Sequence, residues 1–484
     1  MSFISSTFLI FLCIVWLCFS LAPTKARAAV LTIASYLFYG SWSVPFLLMI
    51  LATTTVDYLC SKYIHATQSQ TKRRIAVTVA IAVNLLVLGC FKYLNFILGS
   101  ATAFAQIIHF QTALPPHLAF VLPLGISFYT FEAISYVVDV YRGKTPPAQN
   151  FWQYNFYIMY FPHLISGPII RYSELRDQYS TGIEKPSSER LRKGLELIVL
   201  GFAFKVLIAD RCGAGVDPVF ASPLNAGTLA SYLAAAAFRA QLYFDFLGYT
   251  HIARGVSLLF NIELPLNFDQ PFSATNMSNF WERWHISLGR WIRDYIYRPL
   301  GGSRHGLART LLTIFVVFAL AGAWHGAGWT YIAWGVFHGC ILVAYYCYTK
   351  IRPRLLGAWE SKLLDNSLYR NASIFFTYAV GTLGIVLFRA PNIPTAMLVW
   401  HNLVNLSVLK AELGQMLITN QFDILFSLAL AVFLCLGGEF VTRMYQARFQ
   451  PLSLAVKIPA AAAACLLCWI LNATAAQQFI YFQF

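Results

Sequence analysis

Charge is what this sequence has least of. Only 11% of its 484 residues are Asp, Glu, Lys or Arg, whereas soluble domains carry about a quarter, so a single soluble core of this length is excluded. Internal repeats, low-complexity tracts and polar linkers are missing too, which counts against transporters built from inverted repeats. The ten cysteines are scattered. The one close pair, Cys465 and Cys468, sits in the apolar run from Ala460 to Leu471 with no second pair and no nearby histidine, so these thiols read as small hydrophobes rather than a metal or redox site. Met1 to Thr24 contains no charged side chain. It lacks the basic start of a cleaved signal and is long enough to span, so it is expected to stay as a first membrane helix.

What is present is apolar surface. Hydrophobic residues make up 58% of the chain and aromatics 16%, the latter suited to membrane interfaces and internal cavities. Apolar stretches of spanning length fall near 3–22, 29–62 (one long or two short), 75–97, 118–140, 151–170, 194–209, 228–260, 311–348 (two legs), 372–389, 421–439 and 454–471. The expected fold is an all-α polytopic membrane protein, one domain over 1–484, with roughly 10–13 membrane helices plus re-entrant and interfacial helices around a central tunnel. Lys and Arg exceed Asp and Glu by 15, which in a membrane protein signals cytoplasmic loops rather than nucleic acid. The basic clusters at Lys72/Arg73/Arg74, Arg190/Arg192/Lys193, Arg290/Arg293/Arg298/Arg304 and Lys350/Arg352/Arg354 are therefore expected on the cytoplasmic side.

Polar groups at lipid depth are expensive and mark faces turned inward. Glu132, Ser135 and Asp139 share one helical face, as do Gln241 and Asp245. Arg239, six residues before Asp245, lies about 120° around the helix and calls for a partner on another helix. Glu132, Arg239 and Asp245 read as a structural polar core of interhelical hydrogen bonds.

Two motifs point to chemistry. From Thr310 to Thr349 there are 40 residues without a formal charge, interrupted by Ala321-Gly322-Ala323-Trp324-His325-Gly326-Ala327-Gly328-Trp329. Fifteen helical residues from Thr310 to Trp324 rise about 22 Å, which puts His325 deep in the bilayer, with glycines free to break the helix. An imidazole suits general-base work because its ordinary pKa lies near the working pH; the plainer alternative is a histidine that only bonds another helix. In the second motif, Met277, Trp281, Trp284, Leu288, Trp291 and Tyr295 step by four and three, predicting one amphipathic helix with His285 on the edge of its apolar stripe and Arg283, Ser287, Arg290 and Asp294 opposite. Such a helix can simply anchor at the interface, or offer its arginines to a phosphorylated ligand.

At these motifs the sequence closely resembles the membrane-bound O-acyltransferase family, in its branch of bacterial alginate O-acetyltransferase membrane subunits. The resemblance runs through about Leu122 to Tyr345, carried by Pro123–Gly143, Phe161–Leu175, Gln241–Gly255, Leu264–Gly302, and the AWHGAGW and FHG pieces at Ala323–Trp329 and Phe337–Gly339. It implies that His325 is the catalytic histidine and His285 the second motif histidine. It also implies an O-acetyltransferase in the bacterial inner membrane that takes acetyl from cytoplasmic acetyl-CoA and serves an exopolysaccharide acceptor through a periplasmic acetyltransferase or esterase-like partner, with membrane lipid as a further partner; no metal or permanently bound cofactor is expected, since a thioester is already activated and neither histidine motif has the ligand spacing of a zinc site. In that reading His325 activates an acceptor hydroxyl, His285 or a neighbour donates to the thioester carbonyl, and Arg290, Arg293 and Trp324 bind the donor. The rival readings are a polysaccharide or lipid flippase with histidine proton relays, and a non-catalytic scaffold.

Overall fold

A computed structural model describes residues 3–110, 118, 121–357 and 359–405, together with residues 428–430, 432–433, 456, 459, 463, 479 and 480. Among them every regular element is helical. Among the described residues, five helices are long and apolar enough to cross a membrane: Val44–Ala66, Gln70–Ile107, Leu307–His325, Trp329–Leu356 and Ser367–Arg389. The expected segments 421–439 and 454–471 lie outside the described residues except at 428–430, 432–433, 456, 459 and 463, and the pair Cys465 and Cys468 lies outside them altogether. The chain clusters into two compact units, Met1–Ile198 with Tyr249–Pro265, and Val199–Gly248 with Leu266–Phe484.

In the first unit, α1 (Ser6–Leu21) starts where the Ser5 side chain accepts from the Phe8 backbone N–H, satisfying one orphan donor of the first turn. The 29–62 stretch is two helices, α2 (Arg27–Gly40) and α3 (Val44–Ala66), because the chain turns at residues 41–43 and Pro45 is accommodated in the first turn of α3. Next come α4 (Gln70–Ile107), α5 (Ile126–Tyr141) and α6 (Phe151–Met159). The polar face of α5 is buried as its spacing requires: the Ile170 N–H donates to Glu132 Oε1 at 3.0 Å, and His163 Nδ1 lies 3.2 Å from the same oxygen.

The expected span 151–170 is not one helix. It stops at Met159, makes a short turn over Phe161–Leu164 and continues extended. Pro162, Gly167 and Pro168 end the ladder, and the buried backbone finds other partners: the Tyr157 hydroxyl donates to Ile170 O at 2.7 Å, and a Cβ on Gly167 would come within 2.3 Å of the His163 Cα.

Hydrogen bonds inside this unit tie basic helix ends together. Arg73 donates to Tyr141 O at 2.7 Å, placing the start of α4 beside the end of α5. Arg190 bonds Asn261 O and Oδ1 at 3.1 and 2.8 Å. With a basic cluster at each of these ends, the positive-inside rule puts both on the cytoplasmic side. Single cysteines introduced near Arg73, Arg192 and Arg352 in a thiol-free background should therefore resist an impermeant reagent in intact spheroplasts, and labelling of any of them would overturn the orientation.

The chain enters the second unit along α7 (Ser188–Ala203), which continues through six π-helical residues, Phe204–Ala209, into α8 (Asp210–Ala221). Helix α9 (Thr228–Leu259) is a single 32-residue helix, and its residues up to Gly248 belong to this unit. The unit then holds α10 (Met277–Arg283), α11 (Ile286–Ile292), α12 (Leu307–His325), α13 (Trp329–Leu356) and α14 (Ser367–Arg389).

Candidate active site

Helices α12 and α13 form a hairpin whose backbones touch. A Cβ on Gly322 would lie 2.3 Å from Tyr331 O, and one on Gly335 2.3 Å from Phe318 O, so only glycine permits this approach. His325 is the last residue of α12. Gly326 and Gly328 are extended, with φ −159° and −164°, a conformation open to any residue. The glycine at 326 is needed for a different reason than helix breaking: its missing Cβ would meet the Tyr331 ring at 2.2 Å. The His325 imidazole is held by aromatic neighbours, its centroid 4.9 Å from Trp324, 5.1 Å from Trp334 and 5.2 Å from Phe388.

The second histidine motif departs from the expected single helix. The ladder stops at Arg283 and restarts at Ile286, with His285 between them in the left-handed conformation at φ 45°, ψ 53°. That geometry costs a non-glycine residue about 1–2 kcal/mol, so something must hold it. Asn267 does. Its backbone carbonyl accepts from the Ile286 N–H at 2.9 Å, and its side-chain Oδ1 accepts from the Ser287 N–H at 3.2 Å and the Ser287 hydroxyl at 2.9 Å. Two helix-start donors are thereby satisfied from another segment. Of the six stripe residues Met277, Trp284, Leu288 and Trp291 are buried and Trp281 and Tyr295 half-buried, but Ser287 and Asp294 from the face expected opposite are buried as well.

The same asparagine settles the state of His285. Because the Ser287 N–H can only donate, the atom facing it is the amide oxygen, and His285 Nδ1, 3.1 Å from that oxygen, carries the proton. Burial pushes the His285 pKa down to about 3, so the ring is neutral and Nε2 bears a lone pair. The expectation left donation at the carbonyl to His285 or a neighbouring group, and with Nδ1 donating to Asn267 it is the neighbouring group that fits. His285 presents an acceptor.

Both histidines line one cavity of about 770 Å3, in the range of small-molecule sites. Arg290 and Arg293 line it as well, as do Tyr345, Tyr346 and Thr349 from α13. From Trp334 to Thr349 the wall extends about 22 Å along α13, and His325, Arg290 and Arg293 line the same space. Asp294 pairs with both Arg298, at 2.9 Å, and Arg293, at 3.6 Å, and of the basic cluster Arg298 and Arg304 do not line the cavity. Trp324, expected at the donor, is not a lining residue; its ring packs between His285, at 6.1 Å, and His325.

The polar residues Arg239 and Asp245 hold helices rather than touch the large cavity. Arg239 bonds Tyr378 O and, at 3.1 Å, Thr382 Oγ1, both on α14, so its partners are on another helix as its angular offset requires. Asp245 receives Lys205 at 2.7 Å and the Ile480 N–H at 2.7 Å, and Lys205 also reaches Asp210 at 2.6 Å. Lys205, Asn267 and His338 escape a reading of the sequence. His338 meets Trp281 and Trp334 edge-on, at centroid distances of 5.3 and 4.8 Å, and with His325 it lines a small cavity of about 30 Å3. The only signals for these three were a lone lysine in an apolar stretch, an asparagine in a proline-flanked loop and the histidine of the FHG piece.

Comparison with known proteins gives this arrangement a context. A model of the membrane-bound O-acyltransferase family matches residues 29–377, a span that includes both histidines. The chain is 38% identical over 398 residues to a "probable alginate O-acetylase" of Pseudomonas aeruginosa, covering 82% of this chain and 73% of that one. It is 32% identical over 402 residues to a peptidoglycan O-acetyltransferase of Helicobacter pylori, covering 78% and 73%. A teichoic acid D-alanyltransferase of Bacillus subtilis is 31% identical over 256 residues, 50% of this chain and 63% of that protein.

Proposed function

The chain belongs to the membrane-bound O-acyltransferase family and is a multi-pass O-acyltransferase, and from this we propose that it takes acetyl from cytoplasmic acetyl-CoA and passes it across the inner membrane to a polysaccharide through a periplasmic partner. The observation that carries the reading is the shared cavity of His325, His285, Arg290 and Arg293. Relatives named for alginate and peptidoglycan acetylation support acetyl as the group and an envelope or extracellular glycan as the acceptor class. Inverted membrane vesicles from producing cells, given labelled acetyl-CoA, are expected to accumulate acetyl ester in the lumen. Lumenal label no higher than in vesicles lacking the protein would refute the proposal.

The chemistry follows from the lining. His325 takes the proton of the acceptor hydroxyl as its oxygen attacks the thioester carbonyl; the C–S bond breaks, and the leaving thiolate takes that proton from the imidazolium. The neutral His285, offering the Nε2 lone pair, orients a proton-bearing group such as the acceptor hydroxyl or a pantetheine amide. Oxyanion donation falls instead to indole N–H groups of residues that line the cavity with His325. Trp281 and Trp334 both line the cavity, and neither Nε1 has a hydrogen-bond partner among the described residues. The tryptophan and phenylalanine rings around His325 exclude water that would hydrolyse the thioester.

Arg290 and Arg293 would hold the donor phosphates. Changing either to Gln is expected to raise KM for acetyl-CoA about tenfold, the order of one charge-assisted hydrogen bond, and to leave kcat nearly unchanged because ground and transition states lose the same contact. Steady-state kinetics in vesicles check this, and an unaltered KM would move the donor site elsewhere.

A further inference from the structure

A second large cavity, about 970 Å3, lies in the same unit away from the two motif histidines. It brings Arg283, Arg370, Asn279 and Asn371 into one lining with Ile374, Phe375 and Tyr378 from α14 and with Leu428 and Val432, and Arg283 also donates to the Ser273 hydroxyl at 3.2 Å. Residues 370, 374 and 378 are one face of a helix at spacings of four, so polarity falls along about 12 Å of a single stripe. No Asp or Glu lines the cavity among the described residues. The cationic end has a definite level: the Tyr348 and Tyr369 hydroxyls lie 3.5 Å apart, which sets Arg370 beside the Lys350/Arg352/Arg354 cluster at the end of α13. Away from that end α14 exposes Phe375 and Phe376, 74% and 69% accessible, as a surface suited to hydrocarbon.

We propose that this groove binds one anionic phospholipid of the cytoplasmic leaflet, its phosphate between Arg283 and Arg370 and an acyl chain along Ile374, Phe375 and Tyr378. Two planar guanidinium groups with no lining carboxylate complement a phosphate, and the apolar stripe leading away from them fits a chain covalently attached to that phosphate. A soluble phosphate or the free donor would use the arginines and leave the stripe empty. The site has a route to the chemistry, since Phe272 and Tyr378, which line the groove, also stack on the Arg239 guanidinium, and Arg283 closes the helix that ends beside His285.

Native mass spectrometry of the delipidated full chain, titrated with phosphatidylglycerol and with phosphatidylcholine, tests the assignment. Phosphatidylglycerol is expected to bind at least tenfold more tightly than phosphatidylcholine, and Arg370→Gln to remove about tenfold of its affinity while leaving phosphatidylcholine unchanged. Arg370 is exposed, so its replacement does not open the helix packing. Phe375→Glu, on the apolar wall, should weaken both lipids. Equal binding of the two lipids, unchanged phosphatidylglycerol affinity in Arg370→Gln, or displacement of the lipid by free coenzyme A would each overturn the proposal, the last by assigning the arginines to the donor.

Discussion

Replacing His325 by alanine or glutamine is expected to lower acyl transfer by roughly a hundred- to ten-thousand-fold, the usual cost of losing a general base. The two substitutions separate chemistry from packing. The imidazole fills a space bounded by Trp324, Trp334 and Phe388, so alanine leaves a void there, whereas glutamine keeps bulk and hydrogen-bonding capacity without a basic nitrogen. If His325 is the base, both variants lose activity and the glutamine protein melts within a few degrees of the parent. A glutamine variant that acetylates at the parental rate would remove His325 from the reaction, and one that melts far earlier would make its role structural.

The second large effect concerns stability. Lys205 bridges Asp210 at 2.6 Å and Asp245 at 2.7 Å, and all three side chains are buried. Removing one partner of a buried ionic cluster costs about 3–5 kcal/mol, because the remaining charges are left without compensation. Lys205→Met strands two carboxylates, so the thermal transition in detergent should fall by roughly 10 °C. The triple variant with Asp210→Asn and Asp245→Asn removes the stranded charges and should recover most of that loss. Were Lys205→Met to melt with the parent, the cluster would contribute nothing to holding α8 and α9 together.

Much of the site was legible in the sequence because its signals are local. Forty residues without charge around a glycine-flanked histidine can only be a hairpin with an interrupted middle, and α12 and α13 are that hairpin. The polar face of α5 and the displaced partner of Arg239 follow from helical angles alone. What escaped depends on residues far apart in sequence. The four-and-three spacing from Met277 to Tyr295 reads the same in the sequence whether the helix is whole or broken; the break at His285 is held by Asn267, eighteen residues upstream. The tautomer of His285, and with it the acceptor role, rests on the same distant side chain. Lys205 looked like one cation in an apolar stretch, and its value appears only when the π-helical turn at Phe204–Ala209 brings it to two carboxylates. The 151–170 segment is a different matter, since Pro162, Gly167 and Pro168 announced its irregular course and hydropathy outvoted them.

The backbone contact between α12 and α13 fixes where this enzyme can be altered. With Gly322 and Gly335 interlocked, the wall that carries His325 has no slack to take up a larger side chain or a shifted ligand. The facing wall is built differently, from two short helices hinged at a left-handed residue and pinned by side-chain hydrogen bonds to Asn267. A library intended to change which acyl group is carried belongs on that second wall, at Ile286, Leu288 and Ile292, which line the cavity without entering the glycine interlock. Diversity introduced at Gly322 or Gly335 would be spent on chains that never close the hairpin.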